Sequence, residues 1–494
     1  MTVPTMLMAL CLVGQSETPI PLDATKQLFL DDYLIATSEN VTRQVHALEK
    51  HPANPVLRAT EPWEGGVAIL YGSVLRDGDK YRAWYHAAGN VGYAESDDGI
   101  RWTKPRLGIV EVEGEDTNLV IRREAAEGEP GFLPDFYEVF GVHRDDRDPD
   151  PSRRYKMGFL SLDRDYRGPR EDPFHRGQRR GLGVAASPDG VHWKLVDSWA
   201  TEAICDGGTH WTFDPQREKY LLYGRTKHVA AGLMEAWGEN QWVDRYFWGR
   251  SVARAESADF VHWDVTDPGK APVVMTADAD DPPGTEIYSL QVFPYESVYI
   301  GLVQAFHNQP DTCHLDLQLA VSRDSVHFTR VGDRRPFIPI GPVASWDRFN
   351  NSVANNPPIP VGDELRFYYG GRTSRHSPYQ GQDKGEPGGG IGLGTIRRDR
   401  FVSLSASFDG GRIVTKPLKL QGGRLHLNAK ADFGRIVVEA LDADGRFVAR
   451  SKPIREDGLD VAVAWEEGNV EDLRSPVVLR ITIQNALLFA LWCS

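Results

Sequence analysis

The chain has 494 residues, with 70 acidic against 56 basic side chains and a formal net charge of −14. That balance argues against nucleic acid and anionic membrane surfaces as partners, because both need basic patches. It suits a neutral or cationic ligand, or solubility alone. The four cysteines, Cys11, Cys205, Cys313 and Cys493, show no C-x-x-C spacing, so no zinc site is indicated. Nothing in the sequence sets an oligomeric state.

Residues 1–16 read as a signal peptide, with Leu7–Val13 as its apolar stretch and Gly14-Gln15-Ser16 as a cleavage region. The alternative is a disordered tail. The leader predicts a secreted or periplasmic protein, and no later stretch is apolar and long enough to span a bilayer. Leu28–Ile35 is strand-like and would close a ring by pairing with its last repeat.

From about 24 to 402 one pattern recurs. A strand ending in aromatics is followed by a short apolar strand and then Ser-x-Asp-Gly-x-His-Trp or a worn copy of it. The copies close at Trp102, Trp193, Trp263, Phe328 and Phe401. Repeats of a few short strands signal a solenoid or a propeller. The fold predicted is therefore all-β, a five-bladed β-propeller over 24–402 followed by a β-sandwich over 403–494. The later segment alternates as strands do, for example in Arg435–Ala440 and Val477–Ile483, with Asp442–Gly445 as a hairpin turn. The insert Leu107–Arg154 and the tract Arg372–Gly390 read as loops. Asp98-Gly99 and Asp189-Gly190 read as turn residues, and His192, His262 and His327 as packing residues of the blades.

In a propeller the starts of first strands and the ends of second strands open on one face around the axis. First-strand starts give Glu64, Asp135, Asp206, Glu286 and Asp347. Second-strand ends give His86, Arg225, His307, Arg372 and His376. Trp63, His210, Trp211, Tyr288 and Trp346 lie beside them. A single carboxylate at such a place is often a turn or cap residue. Five on one face suit sugar recognition, with hydroxyls on carboxylates and arginines and sugar faces on aromatic rings. They also suit glycosidic cleavage, where one carboxyl protonates the leaving oxygen and another acts as base or nucleophile. No nucleophile elbow, P-loop or dinucleotide fingerprint competes. No metal is predicted at this face and no cofactor is required. The acidic loop Asp278, Asp280, Asp281 could hold a structural calcium ion through its oxygens, or be a solvated loop.

Phe29–Asp32, Asn54–Leu57 and Pro62–Gly65, together with the repeats and the run Leu418–Asn428, resemble secreted bacterial glycosyl-hydrolase-like proteins. Those proteins are related in architecture to glycoside hydrolase families 32 and 43. The resemblance implies a propeller with catalytic acids in its first three blades, hence Glu64, Asp135 and Asp206. The acids are not transferred by motif. Trp-Met-Asn-Asp-Pro is absent, Arg147-Asp148-Pro149 lies in a charged loop, and Cys205 precedes Asp206 where family 32 has Glu-Cys. The residues single out Asp206 as base or nucleophile and Glu286 as acid, with Tyr288 raising the proton affinity of Glu286; the alternative is that Glu286 only salt-bridges to an arginine. Glu64 and Asp347 would bind hydroxyls, and Arg225, His307 and Arg372 would steady charge. The predicted function is glycoside hydrolysis on an oligo- or polysaccharide. The alternative is a non-catalytic carbohydrate-binding propeller.

Overall fold

The computed structural model describes residues 18–163, 165, 166, 178–202, 205–267, 270–310, 313–376, 388–470 and 475–494. The leader 1–16 and much of the tract after His376 lie outside them. The described chain is nearly all β. Its helices are two short α-helices, Leu233–Trp237 and Gln241–Tyr246, and two 3₁₀ turns. No described helix is long and apolar enough to cross a membrane.

The chain divides into two units, Val45–Phe401 and the segment up to Gln44 together with Val402–Ser494. In the first unit, successive antiparallel meanders follow the sequence repeats. The first contains Ala68–Asp77, Lys80–Ala87, Asn90–Ser96 and Leu119–Ile121, and the second Phe136–Arg144, Tyr155–Asp163, Arg179–Ser187 and Lys194–Thr201. The third contains His210–Asp214, Lys219–Lys227, Arg250–Ser257 and Val273–Met275. The fourth runs Thr285–Tyr295, Val298–His307, His314–Ser322 and Thr329–Arg330. The fifth has Asn350–Val353, Glu364–Arg372 and Gly389–Arg397, and its outer strand is Glu49–Lys50 from the start of the unit.

That pairing corrects two expectations. The last meander is completed by Glu49–Lys50, not by Leu28–Ile35. Instead, Gln27–Leu28 pairs with Leu491 and Ala490, and Ile35–Glu39 pairs with Gly411–Thr415, both in the other unit. Residues 24–44 therefore belong with the C-terminal segment, because their apolar side chains Phe29 and Leu34 bury in its core. The insert 107–154 is not only loop, since it supplies Leu119–Ile121 and Phe136–Arg144.

The repeated motif is a capped turn. Ser187 Oγ accepts from Gly190 N at 2.9 Å, and Asp189 Oδ1 accepts from Val191 N and His192 N at 2.9 Å each. His192 Nδ1 meets Asp189 Oδ2 at 2.7 Å, and His262–Asp259 and His327–Asp324 repeat the contact at 2.7 and 2.6 Å. These histidines are exposed clamps on the turn, not packing residues as expected. Asp259 shows the result: amide, hydroxyl and imidazole donors outweigh its partial burial and hold its carboxyl well below the usual carboxylate range.

The turn needs a left-handed residue after the aspartate. Gly99 and Gly190 supply it with φ of 75° and 83°. Gly190 is also in contact with the core, for a methyl there would sit 2.7 Å from Trp84 Cζ2, whose ring donates to Gly190 O. Gly190→Ala is expected to cost about 1–3 kcal/mol in a denaturant titration, since strain and a clash add. Phe260 and Ser325 occupy the same position at φ 69° and 66°, so strain alone does not forbid a side chain. A cost below about 0.5 kcal/mol would show that the clash is relieved freely.

The inner strands of four meanders meet on Asn355 and Asn356, which follow the first strand of the fifth. Asn355 N donates to Gly72 O at 2.8 Å, and its side-chain oxygen accepts from Trp211 N at 3.1 Å. His143 Nε2 reaches Asn355 O, and Gln291 Nε2 donates to Asn356 O at 3.0 Å. Buried backbone groups that no ladder pairs are satisfied there.

The second unit holds two sheets that share one apolar core. One contains Leu425–Lys430 and Ala486–Cys493, the other Arg435–Leu441 and Val478–Gln484. Leu427, Leu488, Val438 and Ile481 are fully buried in that core. No disulfide joins Cys205, Cys313 and Cys493.

Candidate functional site

Three inner strands break register at one level. The ladder skips from Ile69 to Gly72 in the first meander, from Phe136 to Glu138 in the second, and from Ile287 to Ser289 in the fourth. A bulge re-aims the side chains around it. The residues affected are Tyr71, Tyr137 with Glu138, and Tyr288. Asp206 lies just before the inner strand of the third meander, and Arg372 ends the middle strand of the fifth.

These groups converge. Asp206 Oδ1 lies 2.9 Å from Arg180 Nη1, and Oδ2 lies 3.0 Å from Arg225 Nη1. Arg225 also donates to Gly207 O and stacks over the Tyr288 ring, 3.9 Å from its centroid. A methyl built on Gly207 would sit 3.6 Å from Glu138 Oε2 and 3.9 Å from the Tyr288 hydroxyl. His376 Nε2 meets that hydroxyl at 3.3 Å. Burial pushes the Glu138 carboxyl up to about 7. Arg372, Arg225 and Arg123 pull the other way, and Asp206 adds to the rise. His86 is held down at about 4, first by burial and then by Arg372 and Arg123. His376 is held well below its ordinary value by burial and three arginines. Both imidazoles are thus neutral at pH 7.

The residues singled out from sequence separate into two sets. Asp206, Arg225, Tyr288, Arg372, His376 and His86 meet here. The rest do not. Glu64 is fully buried and accepts from Thr60 N, Glu61 N and Tyr85, with Lys104 Nζ at 2.6 Å. Glu286 is fully buried as well. It accepts from Trp248 N at 2.9 Å and Arg250 N at 3.0 Å and pairs with the Arg250 guanidinium. With those donors Glu286 anchors a strand by an ion pair with Arg250, in place of the acid role expected of it. Asp347 pairs with Lys50 at 2.6 Å and accepts from Ser345 and Tyr369. Asp135 is an exposed turn residue at φ 56°.

The aromatic set divides likewise. Trp63 donates to Asn118 Oδ1 at 2.8 Å under the Arg106 guanidinium. Trp211 stacks on His143 at 3.6 Å between centroids and is core, with His210 buried beside it. Trp346 packs on Tyr369 at 5.5 Å. His307 joins His314 and Asp316, whose ligand atoms all lie within 4.8 Å of one another and so could take a metal ion. Both Asp316 oxygens are engaged, by His307 and Gln318 at 3.0 Å each. In the acidic loop, Arg334 reaches Asp278, Asp280 and Asp281 at 2.8, 3.3 and 2.9 Å, so guanidinium already balances the charge a calcium ion would have met.

Glu138 and Tyr71 were missed. Glu138 sits inside a strand, where plain alternation gives no reason to single it out. The signal in the sequence is the run Asp135-Phe136-Tyr137-Glu138, a second carboxylate beside an aromatic pair at the strand start.

No family model matches the chain, and no curated protein matches it. Solved structures that it resembles include an N-acetylgalactosamine deacetylase from F. plautii in complex with blood group B trisaccharide, at 16% identity and a TM-score of 0.41. That match covers 78% of this chain and 96% of that one. Others are a thermostable family-43 glycoside hydrolase, at 13% identity, TM-score 0.40 and coverages of 67% and 91%, and an endo-arabinase from Bacteroides thetaiotaomicron, at 11%, 0.40, 71% and 98%.

Proposed function

We propose that this protein is an exported glycoside hydrolase, a five-bladed β-propeller with a β-sandwich, whose proton donor is Glu138 and whose second carboxylate is Asp206. The observation that carries the proposal is the pair of environments. Two carboxyls in one cluster have opposite surroundings. Glu138 is pushed up to about 7 chiefly by burial, while Asp206 faces two guanidinium groups. One carboxyl held protonated by burial beside a second that faces cations suits an acid and its partner. In the cleavage, the Glu138 proton passes to the leaving glycosidic oxygen as its bond to the anomeric carbon breaks. Asp206 then removes a proton from the attacking water, or bonds to the anomeric carbon first and is released by water. Tyr71 and Tyr288 line the cluster beside the two carboxyls.

The test is a polysaccharide panel with detection of released reducing ends, on wild type and Asp206→Asn. Cleavage that falls at least about a hundredfold in the variant is expected. One feature favours the binding-module alternative: both Asp206 oxygens are already held by arginines. Saturable binding of a polysaccharide with no product from any member of the panel would establish that alternative and end the hydrolase reading.

A further inference from the structure

The chain is strongly acidic, yet the charge around this site is the reverse. Among the described residues, the charged groups acting on Glu138 are Arg372, Arg225 and Arg123 against Asp206. Asp206 is already matched by Arg180 and Arg225. Arg372 is different. Its charge is felt by His86, Glu138, Tyr71 and His376. Its guanidinium lies over the Tyr71 ring at 5.8 Å and makes no ion pair among the described residues. A half-buried guanidinium with no ion pair among the described residues has its planar fork open to an oxyanion. Two further polar atoms of this cluster, His86 Nδ1 and His376 Nδ1, are buried with no hydrogen-bond partner among the described residues. Neutral imidazoles of that kind can bond hydroxyls flanking a charged substituent.

We infer that the substrate is an anionic saccharide, one whose carboxylate or sulfate group is taken by Arg372 between His86 and His376. This rests on the carbohydrate reading above and reverses the neutral or cationic ligand that net charge alone suggested. A chain of net charge −14 repels polyanions in general, so affinity for one reports a local site.

Calorimetric titrations of the full chain with polygalacturonate, dextran sulfate, dextran and arabinan test it. Wild type is expected to bind at least one charged polymer about tenfold or more tightly than either neutral one, and less tightly as salt rises. Which charged polymer binds separates carboxylate from sulfate. Arg372→Gln is expected to lose about tenfold or more in that affinity, and Arg372→Lys to recover part of it, with both melting as wild type does. Equal binding of dextran or arabinan, no binding of either charged polymer, or charged-polymer affinity unmoved in Arg372→Gln would overturn the inference. A neutral polymer cleaved at an unchanged rate by Arg372→Gln sinks this inference and leaves the hydrolase. A charged polymer bound through Arg372 but never cleaved does the opposite.

Discussion

Glu138→Gln is expected to lower turnover on the substrate found in the panel by ~10²–10⁴-fold, the usual contribution of a positioned general acid. Glutamine keeps the shape and loses the proton. The wild-type rate should fall as pH rises through about 7, where Glu138 gives up its proton, and the residual rate of the variant should lack that step. The sign for stability separates this from misfolding. The folded-state proton affinity of Glu138 is raised from the ordinary 4.5, so the native state holds its proton more tightly than the unfolded chain does. Stability from this group is full below about 4.5 and is lost as pH rises through about 7. Glutamine has no such loss. At pH 8 the variant should therefore melt no lower than wild type while being nearly inactive. Turnover above about a tenth of wild type, or a retained step near pH 7, would remove Glu138 from the chemistry.

The second large effect concerns the carboxylate that sequence reasoning put in the acid role. Arg250→Met is expected to destabilise the protein by about 3–5 kcal/mol in urea, because it leaves the fully buried Glu286 charge with neutral donors only, two backbone amides and the Asn308 side chain. Adding Glu286→Gln should recover part of that loss, since no buried charge is then stranded and the amide oxygen still accepts from Trp248 N and Arg250 N. An Arg250→Met protein within about 1 kcal/mol of wild type would mean that Glu286 carries a proton in the fold, and would return it as a candidate acid.

The strand repeats were legible because they are local. Alternation, the Ser-x-Asp-Gly turn and the closing aromatic each depend on neighbours in the chain, and all map onto the meanders. Topology also placed Asp206, Arg225, Arg372 and Tyr288 near one another, because a strand's two ends are known once its direction is. What the sequence could not say is which carboxylates are already occupied. Glu64 meets Lys104, Glu286 meets Arg250 and Asp347 meets Lys50, and each partner comes from another strand or loop. An ion pair formed across the fold consumes a charge that looks available in one dimension. Glu138 was hidden for the converse reason. Register breaks on both sides of Glu138, between Phe136 and Glu138 and between Val139 and Gly141, shift the phase of the strand, and one residue of phase decides which way a side chain faces. Composition determined an acidic chain and the strand repeats an all-β one, while the tertiary structure alone gathered four arginines around two carboxylates, because local charge depends on which loops converge and not on their sum.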